Sequence, residues 1–305
     1  MVFTMSPSRG FNVLLRARVH TIRPQTTRRY SKFVSAVTNL QNKSQVYISR
    51  CDDPYLNLSV EHYLLQKTPP ESTVLFLYTN RPSIIIGRNQ NPWNEVHLGL
   101  VRNGEKPVDL VRRRSGGGTV FHDQGNVNYS VICPTPVFDR DKHAQMVVRA
   151  LQKLGVHQAR VNVRHDIVLD KMDVVKKAEG PATVKKTFKI SGSAYKLTRM
   201  RSLHHGTCLL SSPNIKTIGG YLRSPLKGLL EARGVESVSS PIANVEVPNE
   251  EFEEAVVAEF GSMYGAGEPM ILTGIEKKVP EIAKGLKEIM VCSQNSFACS
   301  MLNTR

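Results

Sequence analysis

Long apolar runs are missing from this chain of 305 residues. A membrane-spanning helix needs roughly 20 successive apolar residues. The longest candidates here, Val74-Leu-Phe-Leu-Tyr78 and Ser83-Ile-Ile-Ile86, have only strand length. Acidic residues are missing from positions 1–50, which hold nine Lys and Arg. That end therefore carries +9 of the formal +15, and only +6 belongs to the rest. The basic balance is thus a property of one terminus and no footprint for nucleic acid. Cysteine pairing is missing too. Cys51, Cys133, Cys208, Cys292 and Cys299 form no Cys-x-x-Cys, and no Cys/His spacing suits zinc. An odd count at irregular spacing fits a reducing compartment. No internal repeat is visible. What remains, with 40% apolar residues, is an ordinary globular composition for one large domain, or one plus a small one.

An Arg-rich, Ser/Thr-rich, acid-free N-terminus is the signature of an organellar transit peptide. Phe11, Leu14, Leu15 and Val19 interleave with Arg16 and Arg18, as in an amphipathic helix. Residues 1–30 are expected to be a mitochondrial transit peptide, cut after Tyr30 in Arg28-Arg-Tyr-Ser31. A disordered basic tail is the alternative.

Leu58, His62 and Leu65 recur at helical spacing over 57–66, behind the Asp52-Asp53-Pro54 turn. Strands are expected at 73–78, 83–87, 108–112, 118–121, 127–132, 163–169, 187–191 and 206–210. Helices are expected at 142–154, 214–222 and 249–260. The Lys-rich stretch 171–186, with Gly180-Pro181, reads as an exposed loop. Many strands adjacent in sequence, with few helices, predict an α+β fold on a largely antiparallel sheet.

One stretch concentrates chemistry: Arg112-Arg-Arg-Ser-Gly-Gly-Gly-Thr-Val-Phe-His122, running on to Asn126. Glycine lets a backbone reach positive φ and approach a ligand without a Cβ in the way. Arginine presents donor forks that match phosphate or carboxylate. The Gly-Lys-Ser/Thr ending of a Walker A loop is absent, as is Gly-x-Gly-x-x-Gly. A flexible loop between strands is the plain alternative. Two further segments accompany this one: Gly87-Arg-Asn-Gln-Asn-Pro-Trp-Asn-Glu95, and Lys189-Ile-Ser-Gly-Ser-Ala-Tyr195 followed by His204-His-Gly-Thr-Cys208. Lys189, on a strand just before Ser-Gly-Ser, could reach both a phosphate oxygen and an acyl carbonyl. Its plain alternative is a surface lysine.

In the order and residue types of these three motifs, the chain resembles the lipoate–protein ligase A and lipoyltransferase family from about Tyr47 to Ser211, as a mitochondrial member of fungal type. The resemblance implies a biotin/lipoate–protein ligase-like catalytic domain, placed at 45–245. It implies a partial accessory domain at 249–290 and a divergent tail at 291–305, since the usual Trp-x-x-Gly-x-Thr-Pro-x-Phe ending is absent. It assigns Lys189 to catalysis. It puts Arg113, Arg114, Thr119, Val120, Phe121, His122 and Asp166 on the nucleotide, with Asp166 placing Mg²⁺. A turn-capping Asp is the alternative there. Read from the residues themselves, the Gly116, Gly117 and Gly118 backbone would let the acyl group pass close by, and Asn126, His205 and Thr207 could hydrogen-bond its acyl or phosphate end, with a structural His pair as the alternative. His165 stands where many ligases have Asn.

The implied activity is ligation of lipoate to a lysine of a lipoyl domain, with lipoate and Mg²⁺-ATP as substrates and no tightly bound cofactor. The acceptors would be 2-oxoacid dehydrogenase E2 subunits and the glycine cleavage H protein, in the mitochondrial matrix. Neither nucleic acid nor membrane is expected as a partner. A transferase of the same fold that takes preformed lipoyl-adenylate, or moves lipoyl between carriers, is the second reading. An organellar RNA-binding module is the third.

Overall fold

A computed structural model of the chain describes residues 25–177, 180–230 and 235–298. The chain begins there with α1 (Gln25–Thr38), β1 (Ser44–Ser49), α2 (Pro54–Lys67), β2 (Thr73–Thr79) and β3 (Ser83–Ile86). The short helices α3 (Pro92–Glu95) and α4 (Leu98–Asn103) lead to β4 (Asp109–Arg112), β5 (Val120–His122) and β6 (Asn126–Pro134). Then come α5 (Lys142–Lys153), β7 (Ala159–Val161), β8 (Ile167–Lys177), β9 (Gly180–Ser191), β10 (Ser193–Leu197) and β11 (Arg201–Leu209). The remainder is α6 (Ile218–Tyr221), α7 (Asn249–Tyr264), β12 (Met270–Leu272) and α8 (Pro280–Ala298).

The main sheet runs β10-β11-β6-β2-β1-β12. It is antiparallel from β10 to β2 and parallel from β2 to β12, so the fold is α+β with a mixed sheet. Strand alternation splits its side chains between two cores. Val46, Ile48, Leu75 and Leu77 face α5 and α7, where Phe252, Val256 and Phe260 close one layer. Tyr47, Val74, Phe76 and Tyr78 face α1, α2 and α8 through Phe33, Leu64 and Ile282. Two three-stranded sheets flank this body, β4-β3-β5 and the antiparallel β7-β8-β9. Among the described residues, no helix is long and apolar enough to cross a membrane.

The structure differs from the sequence reading in several places. Residues 171–186 are mostly strand, not loop. β8 and β9 pair from Ile167–Ser191 out to Lys177–Gly180. Lysines and Gly180-Pro181 suggest a loop, but β-branched residues at 174, 175, 183, 184 and 187 favour the pleated conformation. The strand expected at 163–169 starts only at Ile167, because 162–166 form a turn. In it His165 takes φ 63. This left-handed region suits Asn, and His is also enriched there, so the exchange of Asn for His keeps the turn.

Residues 249–290 supply α7, β12 and most of α8 to the same body. The first part of the tail expected to diverge at 291–305 continues α8 to Ala298. Burial of Ile282, Ile289 and Ser293 carries this helix, as tertiary packing generally does. Residues 1–24 lie outside the described residues, and so does Cys299. The segment after the expected cleavage point anchors the core through Phe33 and Val37.

The adjacent histidines of β11 point to opposite faces. His204 joins His143 in the α5/α7 layer, and both are buried. His143 shares a hydrogen bond with the Tyr264 hydroxyl at 2.8 Å. Burial pushes His143 down to about 4 and His204 down to about 3. A histidine that stays neutral when folded but protonates when unfolded, below about pH 6.5, costs stability as the pH falls. Stability is therefore full above about pH 6.5 and declines toward about pH 4, by up to about 1.4 kcal/mol per pH unit for each histidine. The urea midpoint should fall between pH 7 and pH 4.5. In His204→Phe that decline should be shallower; an unchanged slope would remove His204 as its source.

Candidate active site

A cavity of about 230 Å³ opens where the root of the β8–β9 ribbon meets the main sheet and the glycine loop. The chain passes from one sheet to the other at Gly192, between β9 and β10. Thr207 of β11 donates its backbone N–H to the Gly192 carbonyl at 3.0 Å. A bulge at Ile190 interrupts the ribbon, since Val168 pairs with Lys189 and Ile167 with Ser191. Bulges re-aim side chains. Here Ile190 enters the core while Lys189 enters the cavity.

Lys189 Nζ lies 2.8 Å from Asp166 Oδ1. Asp166 is held by the 162–166 turn, where its backbone N–H donates to Asn162 Oδ1 at 3.1 Å. Arg164 approaches its other carboxylate oxygen at 3.7 Å. Thr207 and His205 line the same cavity, as expected. His205 shares hydrogen bonds with Glu61 Oε2 through Nδ1, at 2.9 Å, and with Ser115 Oγ through Nε2, at 2.8 Å.

The arginine run is used differently from the expectation of three cationic forks. Arg112 grips the carbonyls of Gly87, Arg88 and Gln90 at 3.1, 3.1 and 2.7 Å. Arg113 is buried at the cavity edge and clasps its own loop. It donates to Ser115 Oγ at 3.0 Å, to the Gly116 carbonyl at 2.6 Å, to the Gly118 carbonyl at 2.7 Å and to the Ile85 carbonyl at 3.1 Å. Burial lowers its pKa to about 10, so it stays charged at neutral pH. Arg114, expected on the nucleotide side, turns to α8 and binds the Gly285 carbonyl at 3.1 Å and Glu288 at 2.8 Å. It does not line the cavity.

Alternation along β5 sorts Val120, Phe121 and His122, and Thr119 immediately precedes the strand. Thr119, Val120 and His122 line the cavity. Phe121, expected with them, points the other way, into a core where it stacks on Tyr221. His122 accepts from Asn80 through Nδ1 at 2.9 Å, and burial drives it down to about 3, so it is neutral. Asn126 also misses the cavity and donates to Asn128 at 3.0 Å. Asn128, two residues on, lines the cavity instead, as does Tyr78. Of the glycines, Gly118 lines it; Gly116 and Gly117 form the bend behind, with Gly117 at φ 84. Cys208 lies in the core with its thiol pushed well above the ordinary range by burial. It is therefore an inert thiol.

The Gly87–Glu95 motif fastens the cavity without lining it. Gln90 donates to the Val235 carbonyl and to Ser237 Oγ, both at 3.1 Å, and Glu95 accepts from the Ser237 backbone at 3.2 Å. Residues Val235, Glu236, Ser237 and Val238 thereby form one wall. Sequence reasoning missed this wall, together with Glu61, Tyr78 and Asn128. Only Glu61 left a signal: a carboxylate inside a helix whose Leu56, Leu58, Val60, Tyr63 and Leu64 are apolar on every side.

A lysine–carboxylate pair facing a clasped glycine loop, beside a strap of backbone, offers donors that could hold an anionic ligand beside a polarisable carbonyl. That is the layout of a group-transfer site on an α+β scaffold. The chain belongs to the lipoyl protein ligase A/B catalytic domain family, which matches residues 53–261. It is 44% identical over 218 residues to a Schizosaccharomyces pombe protein designated a lipoate-protein ligase A, covering 72% of this chain and 54% of the relative. The chain thus spans about half the length of that relative. Its fold is similar to that of P. falciparum LipL1 solved with lipoate, at TM-score 0.63 and 24% identity, covering 81% of this chain and 71% of that one. It is also similar to a lipoate-protein ligase A solved with ATP, at TM-score 0.59 and 20% identity, covering 82% and 94%. Likeness at these identities establishes the shared fold.

The Gly87 and Gly117 loops touch so closely that a Cβ on Gly87 would lie 2.1 Å from the Gly117 carbonyl oxygen. No side chain can yield there, so backbone must move. Gly87→Ala should lose about 1–3 kcal/mol of stability. Thermal unfolding measures this, and an unchanged midpoint would show that the two loops separate without cost.

Proposed function

We propose that this chain attaches a lipoyl group to a lysine of a lipoyl-domain acceptor protein, through a lipoyl-adenylate made from lipoate and ATP. The observation that carries the reading is the Lys189–Asp166 pair at 2.8 Å, opposite the Arg113-clasped loop in one cavity. In the first step a lipoate carboxylate oxygen attacks the α-phosphorus of ATP and pyrophosphate leaves. In the second the acceptor amine attacks the acyl carbonyl, the C–O bond to AMP breaks, and a proton is released as the amide forms. Lys189 can neutralise charge growing on the phosphate or carbonyl oxygen in both steps. The ligands named for the two solved relatives, lipoate and ATP, support this substrate pair. Asp166 would be the carboxylate for Mg²⁺. Among the described residues it belongs to no group of three metal-ligating side chains, so the donor set fits an ion carried in by the nucleotide.

One observation favours transfer from preformed lipoyl-adenylate. Arg112, Arg113 and Arg114 all bond to the protein itself, which leaves fewer cations for the β- and γ-phosphates. ATP–pyrophosphate exchange with lipoate and Mg²⁺ decides: exchange identifies the ligase, and its absence with intact transfer from lipoyl-adenylate identifies the transferase. In either case Lys189→Ala should lower transfer by about 10²–10³-fold with the fold intact. Near-full activity at saturating substrate would remove Lys189 from the chemistry.

The acidic-residue-free first fifty residues support a mitochondrial matrix location, where the proposed acceptors would be E2 subunits and the H protein. Protein recovered from mitochondria should begin near Ser31. An intact Met1 or Val2 there would reject a cleaved presequence.

A further inference from the structure

Glu61 sits on α2, outside the cavity lining, yet its buried carboxylate leads to the glycine carbonyls through three residues. It accepts from His205 Nδ1 at 2.9 Å, from the Tyr78 hydroxyl at 3.4 Å and from the Ser130 hydroxyl. Burial opposes its ionisation, but His205 and these hydroxyls hold it below the usual carboxylate range. An ionised carboxylate only accepts, so the His205 hydrogen must be on Nδ1. With the imidazole neutral, the Nε2 lone pair is then open to Ser115 Oγ at 2.8 Å, and Ser115 is the donor. That leaves the Ser115 oxygen to accept from Arg113 Nε at 3.0 Å. Arg113 in turn grips the Gly116 and Gly118 carbonyls. Every donor and acceptor in this series has one consistent direction, and the carboxylate sets it.

We infer that Glu61 is a positioning residue that acts through His205 and Ser115 to order the Arg113 clasp, and with it the glycine-loop backbone facing the transferred group. The identity of that group rests on the proposed function; the relay itself does not. Hydroxyl, imidazole and carboxylate also follow one another in a nucleophilic triad. Here the serine is buried, accepts from Arg113 and does not line the cavity, so its geometry suits positioning and not attack.

Glu61→Gln keeps the shape but removes the charge that fixes the imidazole. In the full chain, ¹⁵N NMR should find wild-type His205 protonated at Nδ1, and Glu61→Gln shifted toward the Nε2–H form. Single-turnover transfer from preformed lipoyl-adenylate to a lipoyl domain should slow by about 10- to 100-fold, the scale of a slightly misplaced group. KM for the lipoyl domain should stay within about twofold. Ser115→Ala should slow transfer similarly, and the double variant should be no slower than Ser115→Ala, because both cut one path. An unchanged tautomer, additive losses, or a KM that rises as the rate falls would overturn the relay. So would a lipoyl ester on Ser115 found by mass spectrometry. If Glu61→Gln fails to fold, the wild-type tautomer and Ser115→Ala still decide: an Nε2–H His205, or full-rate Ser115→Ala, rejects the inference. A wild-type chain that transfers no lipoyl group sinks the proposed function instead, and the tautomer measurement then judges the relay alone.

Discussion

The buried guanidinium of Arg113 is the interaction on which the rest of the site depends. Taking a cation out of water costs several kcal/mol unless its donors are satisfied. Arg113 meets that condition with carbonyls of its own loop and of β3, together with Ser115. Only a planar fork can grip Gly116 and Gly118 at once while reaching Ile85; a lysine offers a point charge and no fork. The glycines are needed for the same reason. Their carbonyls can converge on one guanidinium because Gly117 takes φ 84 and Gly87 leaves room for its carbonyl. The result is a fixed loop with a positive charge beneath it, rather than three mobile arginines around a ligand.

The opposite wall is made by a change of sheet. Lys189 comes from a three-stranded sheet and Asp166 from the turn that leads into its middle strand, whereas His205 and Thr207 belong to the main sheet. Gly192 joins the two, and the bulge beside it lets neighbouring residues serve different regions. The left-handed turn at His165 then delivers Asp166 back onto Lys189. A site assembled this way is rigid because each residue lies at the root of a strand, not on a free loop.

Much of this was legible in the chain, for identifiable reasons. Lys189, Asp166, His205, Thr207, Thr119, Val120 and His122 lie on strands or tight turns beside their motifs, and they reach one cavity. Phe121 and Asn126 were misplaced because a run of residues was read as one lining, although successive strand side chains oppose each other and a strand's end falls short. Arg112 and Arg114 were misread because residue type gives the fork but not its target. Tyr78, Asn128 and the 235–238 wall come from elements with no motif, joined to the site only by tertiary contacts. The β8–β9 ribbon looked like a loop because lysine and glycine outweighed its β-branched residues in the reading. Backbone pairing in the structure outweighs that composition.

The strap at 235–238 gives the second motif its meaning. An acyl-adenylate is reactive toward water, so a site that makes or accepts one gains from excluding solvent around it. Here the exclusion has visible hardware: Gln90 reaches both the strap and Thr119, Ser237 reaches back to the Thr119 backbone at 2.8 Å, and Glu95 holds the Ser237 backbone. These are hydrogen bonds between the buried Gln90, Thr119 and Glu95 and a half-buried Ser237, worth about 0.5–1.5 kcal/mol net where both groups are neutral and about 1.5–3 kcal/mol where Glu95 accepts. Several together keep the wall in place. Arg113 fixes the floor of the site by charge and burial; the strap closes its side by a set of weaker bonds.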